Sequence, residues 1–167
     1  PWEAAGITFY HRAPVSVRIF PPYREETLSE TAETRVVRDE NGIVKEVSRT
    51  HTAFPRFIRH PVETMADFQA LKPMLDPDDP ARFPADWPEE VRRLADRDSI
   101  LVLGRTEISF FGWHRDLMGV ENLLLAYHDQ PRLIHAISRH HVEFVKRLYR
   151  RIVEAGAHRV GAILDER

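Results

Sequence analysis

The spacing of apolar residues along this chain changes near residue 98. Before that point, apolar runs are short and broken by proline and charged residues; after it, they take the spacing of helices and buried strands. The first regular pattern is an alternation at Val15, Val17 and Ile19. Alternation of apolar and polar residues is typical of a strand with one buried face, so we predict a short strand that ends at Pro21.

A β-hairpin is predicted over about residues 34–50, in the segment TRVVRDENGIVKEVSRT. Two β-rich runs flank Asn41 and Gly42, and this dipeptide is typical of tight hairpin turns because both residues tolerate a positive φ. The segment is strongly charged, so at least one face of the hairpin is expected to be in water.

Two short helices are predicted before residue 98. The segment HPVETMADFQALKPML contains a helix-capping residue, Thr64, and its helix is expected to end near Pro73. The segment PEEVRRLADRD has Pro88 in its first turn and two glutamates near the positive end of the helix dipole.

The second part of the chain predicts a buried strand and two helices. The run SILVLG, which ends at Gly104, suits a strand covered on both faces, as in a parallel sheet. From Trp113 a helical stripe of apolar residues falls at positions 113, 117, 120, 124 and 127. A second helix begins near Pro131, and Gly156 is placed to end it. Its stripe consists of Ile134, Ile137, His141, Val145, Leu148 and Ile152.

A last apolar run, HRVGAILDER, predicts another short strand that ends in Asp165 and Glu166. The order after residue 98 is therefore strand, helix, helix, strand. The connection is far longer than a hairpin needs, so the two strands are expected to be parallel and joined by a right-handed crossover. The predicted fold class is α/β.

Composition and charge exclude several classes of protein. The 167 residues suit one domain, and the formal net charge of -2 does not favour a broad nucleic-acid interface. The sequence has no cysteine, which excludes disulfides, thiolate nucleophiles and cysteine-based zinc sites within these residues. No apolar run reaches the roughly 20 residues of a membrane-spanning helix. A cytoplasmic location is expected.

The segment RDLMGVENLLLAYHDQPRLIHAI, followed by VEAG and an apolar strand ending in acidic residues, resembles the uroporphyrinogen decarboxylase family. That family has a recurring run of arginine and glycine, then Glu-Asn-Leu-Leu, then an aspartate two residues before a proline. Here the run consists of Arg115, Leu117–Gly119, Glu121–Leu124, Asp129 and Pro131. The segments ENGIVKEV and RHPVETMADFQALKPMLDPDDPARFP also resemble divergent family members, so the likeness covers roughly residues 35–167.

The resemblance implies a (β/α)8 barrel of the TIM type. Such barrels take roughly 250 residues or more, so the chain is expected to be the N-terminal part of a barrel preceded by the β-hairpin segment. The expected organisation is an N-terminal segment over residues 1–98 and the first βα units of a truncated barrel over residues 99–167. The start at Pro1 rather than at a methionine agrees with a processed or truncated product.

The family includes the decarboxylase of haem synthesis, which removes acetate carboxyl groups from a tetrapyrrole without a cofactor. It also includes zinc-dependent methyltransferases that act with corrinoid proteins. The resemblance therefore implies a small-molecule tetrapyrrole substrate or a corrinoid protein as partner. Neither nucleic acid nor membrane is expected as a partner, on the grounds of net charge and apolar run length given above. No cofactor is expected within this chain; in the methyltransferase branch, His and Cys ligands in later barrel strands would hold zinc. The arginine-rich loop near the start of the decarboxylases has no match here.

Barrel enzymes build their sites at the C-terminal ends of the strands. This places Arg105 and Glu107 at the expected mouth, where Arg105 would bind a substrate carboxylate through two hydrogen bonds. The alternative is a surface Arg–Glu pair. Asp165 and Glu166 end the last strand and are the candidate catalytic acid or base; the alternative for Asp165 is a cap on a following helix.

Two further substrate-binding candidates lie after the first buried strand. Phe111 and its aromatic neighbours would form an apolar wall for a flat macrocycle, or else pack the helix in the ordinary way. His114 is a candidate because it lies near the loop. The seven-residue steps between His114, Glu121 and His128 span roughly 10.5 Å each along a helix, too far for one ion, so no metal site is predicted. His141 is expected to be a core histidine.

Two functional hypotheses follow. The first is a fragment of a barrel enzyme that performs decarboxylation or methyl transfer, and that is inactive as an isolated piece. The second is a non-catalytic α/β binding module, or a truncated product that needs a partner.

Overall fold

The described part of the protein contains six strands and five α-helices. The structure is a computed structural model that describes residues 11–96, 101–102 and 109–156. The strands are β1 (His11–Arg12), β2 (Glu26–Glu30), β3 (Thr34–Arg38), β4 (Val44–Ser48), β5 (Arg56–Arg59) and β6 (Leu101–Val102). The helices are α1 (Met65–Leu71), α2 (Trp87–Ala95), α3 (Phe110–Met118), α4 (Val120–Asp129) and α5 (Pro131–Glu154).

Four strands form an antiparallel meander in the order β2-β3-β4-β5. Every residue of these strands is exposed or half-buried, so the sheet lies outside the apolar core. This confirms that the predicted hairpin, β3 and β4, has a face in water. The strands on either side of it, β2 and β5, were not predicted, because their sequences ETLSE and RFIR lack a clear apolar alternation.

The turn between β3 and β4 confirms the hairpin signal at Asn41 and Gly42. Gly42 has a φ of +78°, and a Cβ atom on it would lie 2.7 Å from the ring of Tyr23. Asp39 holds the rest of the turn, since its carboxylate accepts hydrogen bonds from the backbone N–H groups of Asn41 and Ile43, both at 3.0 Å. The turn thus fixes Ile43 beside the helices.

A short parallel pair links the start of the chain to the second half. His11 of β1 pairs with Leu101 of β6, and Arg12 with Val102. Leu101 and Val102 are both buried, as predicted for this part of SILVLG. The rest of that run and the predicted strand in HRVGAILDER lie outside the described residues.

The prediction of the N-terminal part of a (β/α)8 barrel is wrong. A barrel requires successive parallel strands, each followed by a helix. Four of the six described strands instead form an antiparallel meander, and α3, α4 and α5 follow one another with no strand between them. The barrel was inferred from the family resemblance, whose main run of residues falls on α3, α4 and the first residue of α5 and does not determine how the strands are arranged.

The extended segment after β1 has the predicted alternation without the predicted strand. Ala13, Val15, Val17 and Ile19 are buried, while the residues between them are exposed or half-buried. The N–H of Ala13 still donates to the carbonyl of Val102 in β6 at 2.9 Å, but farther along the segment bonds to a 3-10 turn, where the N–H of Ser16 donates to the carbonyl of Arg82 at 2.9 Å.

The first two helices lie where they were predicted, and a capping residue begins the first of them. The Thr64 hydroxyl accepts from the backbone N–H of Asp67, and the Asp67 carboxylate accepts from that of Thr64, which is a capping box. A 3-10 turn, Lys72–Leu75, continues α1 past the expected end at Pro73. Pro88 lies in the first turn of α2.

The predicted continuous stripe from Trp113 is wrong beyond Gly119. Gly119 ends α3 and precedes α4 with a φ of +76°, which breaks the helix. The break rotates α4 relative to α3. As a result Leu123 and Ala126 are buried, whereas positions 120, 124 and 127 are exposed.

Helix α5 follows its predicted stripe and closes the core. The buried residues of α5 are Leu133, Ile134, Ile137, His141, Phe144, Leu148 and Ile152. Gly156, with a φ of +105°, lies just after the end of this helix, as predicted. Among the helices that the structure describes, none combines the length and apolar character needed to cross a membrane.

One arginine joins the segments that pack on α5. Arg82 is only 2% exposed. Its guanidinium donates to four backbone carbonyls, at 2.5–3.1 Å, and stacks over the ring of Phe144 at 4.9 Å. The four acceptors belong to Ser16, Arg18, Met74 and Asp76. Burial lowers the pKa of the guanidinium, while Asp79 and Asp76 raise it.

We expect Arg82→Met to lower the free energy of unfolding by about 3–5 kcal/mol, because it leaves buried carbonyl groups without a donor. Urea unfolding followed by circular dichroism measures the change. The control is Arg92→Met on the exposed side of α2, which should change stability by less than about 0.5 kcal/mol. A similar small effect for both variants would show that Arg82 does not hold the segments together.

We expect His140 to make stability depend on pH. Burial lowers its pKa, against the opposing effect of its hydrogen bond to the Leu75 carbonyl at 3.1 Å. The folded chain therefore binds this proton less readily than the unfolded chain, and the free energy of unfolding falls as the pH drops below about 6.5. His140→Gln keeps a donor but does not titrate, so unfolding between about pH 5 and pH 7 should depend less on pH. The exposed His135→Gln is the control; equal pH slopes in His140→Gln and the unmodified chain would contradict the assignment.

Candidate functional site

A large groove lies between the end of β5 and the junction of α3 with α4. Its volume is about 560 Å³, within the range of small-molecule sites. Apolar groups line one part of this junction groove, and the polar groups are Arg59, His60, Arg115, Asp116, Glu121 and Asn122. Two arginines, a histidine and two carboxylate residues thus line one space that is large enough for an organic ligand.

Gly119 brings the two walls of the groove together. A Cβ atom at this position would lie 2.7 Å from Cδ2 and 2.9 Å from Nε2 of His60. The backbone also joins the walls nearby, since the N–H of Val62 donates to the carbonyl of Leu117 at 3.0 Å. Glycine is needed here for two reasons: its φ is positive, and its missing side chain leaves space for the imidazole.

The hydrogen bond of His60 fixes its tautomer. Nδ1 lies 3.3 Å from the carbonyl oxygen of Asp116. Because a carbonyl oxygen only accepts, Nδ1 carries the proton, and Nε2 of the neutral ring has a lone pair. The half-buried ring also lies 5.6 Å from that of Phe57. His60 is thus held through Nδ1, and its ring lines the junction groove.

The two arginines of the groove are held by weak ion pairs. Arg115 donates from Nε and Nη2 to one oxygen of Asp116, at 3.2 Å and 3.0 Å. Nε of Arg59 lies 3.6 Å from a carboxylate oxygen of Glu63. Both arginine side chains are more than 40% exposed, and exposed pairs contribute little energy. A ligand carboxylate can therefore replace an internal partner at low cost.

A smaller cavity adjoins the junction groove. This side cavity has a volume of about 160 Å³ and shares Ile43 and Asp116 with the groove. Its other lining residues are Val17, Arg18, Ile19, Asn41, Leu75, Trp113 and Leu117. The lining is mostly apolar, so an apolar recess lies next to the polar groove.

Only part of the predicted site lies in the described residues. Arg105, Glu107, Asp165 and Glu166 lie outside them. Phe111 is on α3 and is 47% exposed. The structure does not test the roles predicted for these residues, which stay predictions.

His114 is buried within the helix packing. Its Nδ1 donates to the carbonyl of Phe110 at 2.6 Å, and its Nε2 lies 2.9 Å from the hydroxyl of Ser138. The side chain is 2% exposed, so the described structure leaves little of it accessible to a substrate. Its substrate-binding role stays a prediction. His141 is in the core, as predicted, with its ring 4.0 Å from that of Trp113.

The polar residues of the junction groove were not among the predicted site residues. Arg115, Glu121 and Asn122 lie in the run that carries the family resemblance, but no site role was assigned to them. Arg59 and His60 come from β5 and the residue after it, and nothing in the local sequence indicates that they meet a helix more than fifty residues later. The one usable signal was Gly119, since a conformationally free glycine inside a helical pattern suggests a break or a close approach.

Comparisons of the chain with family models, curated proteins and solved structures found no match. The resemblance to the uroporphyrinogen decarboxylase family therefore stays a prediction. Within the described ranges, no group of three or more His, Asp or Glu side chains is arranged to hold a metal ion.

We expect Gly119→Ala to lower the free energy of unfolding by about 1–3 kcal/mol, because alanine is strained at a positive φ and its Cβ meets His60. Urea unfolding of a double-mutant cycle separates the two causes. In a His60→Ala background the imidazole that the new Cβ would meet is absent. The loss of unfolding free energy caused by Gly119→Ala should then fall to the part that comes from the positive φ. An equal cost in both backgrounds would contradict the close approach of Gly119 and His60.

Proposed function

We propose that the chain binds a carboxylate-bearing small molecule in the junction groove and exchanges a proton with it through His60. One observation carries this proposal: Arg59, His60 and Arg115 line the same space of about 560 Å³. Guanidinium groups suit carboxylates because their parallel N–H donors match the two carboxylate oxygens.

Arg115 is the principal anion-binding residue in this proposal. It already binds a carboxylate, that of Asp116, through two of its nitrogens. A ligand carboxylate would take the same donors, and Asp116 would turn toward water, to which it is already half open. Arg59, on the opposite wall, supplies a second positive charge.

His60 is the proton-transfer group. Its Nδ1–H is bound to the carbonyl of Asp116, so proton exchange takes place at Nε2. In a decarboxylation, the bond to the carboxyl carbon breaks, carbon dioxide leaves, and the remaining carbon takes a proton. His60 in its protonated form would deliver that proton from Nε2, and water would restore it.

The substrate class that we propose is a tetrapyrrole with acetate side chains. The sequence resemblance implies this class, and the two guanidinium groups support it, because acetate arms supply carboxylates. The methyl-transfer alternative has less support from the groove, since a methyl group offers no charge to an arginine.

We expect the chain to bind a tetrapyrrole that carries free acetate groups and not the same tetrapyrrole with methyl-esterified carboxylates. Arg115→Met should weaken binding of the free acid by about tenfold, the effect of losing one charge-assisted contact. Titration followed by tetrapyrrole absorbance measures both affinities.

The matched control is Arg150→Met, an exposed arginine on α5 that does not line the groove. It should bind the acid like the unmodified chain. Equal binding of acid and ester, or equal loss in the two arginine variants, would overturn the proposal. Binding of the acid without any conversion to carbon dioxide would assign the chain to the non-catalytic alternative.

A further inference from the structure

The side cavity restricts which carboxylates fit this site. Its volume is about 160 Å³, and an apolar cavity of about 150 Å³ holds one benzene ring. Most of its lining comes from the apolar side chains of Val17, Ile19, Leu75, Trp113 and Leu117. The space therefore suits one compact ring and not a second one.

The aromatic wall of the cavity is already in place. Trp113 is 5% exposed. Its ring lies 4.0 Å from that of His141 and 4.9 Å from that of Phe144, the latter in an edge-to-face arrangement. A ring held by two aromatic neighbours in this way loses little conformational freedom when a ligand arrives, which favours binding of a flat apolar group.

The cavity and the groove meet at two residues. Ile43 and Asp116 line both spaces, and Arg115 directly precedes Asp116. A ligand with its carboxylate on Arg115 therefore has the apolar recess beside it. The hairpin turn contributes Ile43, so the turn forms part of the wall that the ring would contact.

We infer that a short link joins the carboxylate that Arg115 binds to a planar apolar ring of the ligand, and that this one ring enters the side cavity. The ring occupies the side cavity against Trp113, and the carboxylate lies in the junction groove. This inference rests on the proposed function, since it assumes that the groove binds a carboxylate.

The test compares phenylacetate, acetate and toluene as probes of the intact chain by calorimetry and ligand-observed NMR. Phenylacetate should bind about tenfold to a hundredfold more tightly than acetate, because the ring leaves water. It should also bind more tightly than toluene, which lacks the carboxylate. Equal affinities for phenylacetate and acetate would overturn the inference while leaving the proposed function standing. Failure of both acids to bind would overturn the proposed function itself.

Two variants locate the ring. Val17→Phe fills the cavity and should abolish the preference for phenylacetate over acetate while acetate binding is unchanged. Ile43→Ala, in the half-buried hairpin turn, enlarges the cavity from its other side and is independent of the core packing around Val17. It should raise the affinity for naphthylacetate relative to phenylacetate by several-fold. Unchanged preferences in a folded Val17→Phe chain and in Ile43→Ala would place the ring elsewhere and contradict the inference.

Discussion

The buried guanidinium of Arg82 is the interaction on which the described structure most depends. Its hydrogen bonds reach the backbone on either side of two residues that line the side cavity: the carbonyls of Ser16 and Arg18 flank Val17, and those of Met74 and Asp76 flank Leu75. One charged group thus fixes two walls of the cavity against α5. A buried charge is tolerated here because it is met by several backbone acceptors and an aromatic face.

The candidate site itself depends on a second constraint, the break at Gly119. The break ends α3 where the imidazole of His60 needs space, and it sets the direction of α4. Asp116 then contacts residues of both walls of the groove. Its carbonyl accepts a hydrogen bond from His60, and its carboxylate accepts one from Arg115. The chemistry of the groove therefore comes from segments distant in sequence, joined by one backbone irregularity.

Local signals in the sequence predicted the elements better than their arrangement. Thr64, the Asn41–Gly42 turn and the stripe of α5 each act within a few residues, and the structure confirms all three. The barrel prediction failed because it rested on a resemblance carried mainly by helical segments, which does not fix the strand order. A buried strand such as Leu101–Val102 does not specify its partners either, since these are set by contacts far along the chain. Among the residues of the candidate site, Arg115 and Gly119 stood out in the sequence as part of the family-like run. Nothing in the sequence indicated that His60 lies beside them. That contact depends on how β5 leads into α1, which no local pattern encodes.

The central claim is that a carboxylate ligand binds at the junction groove. Backbone chemical shifts from an isotopically labelled chain, recorded while phenylacetate is added, test it residue by residue. We expect the largest changes within residues 57–60 and 115–122, which surround the groove, and within residues 17–19 and 41–43 and at Trp113, which line the side cavity that receives the ring. Largest changes in β2 and β3, or around Phe110 and Phe111 without changes at the groove, would contradict it.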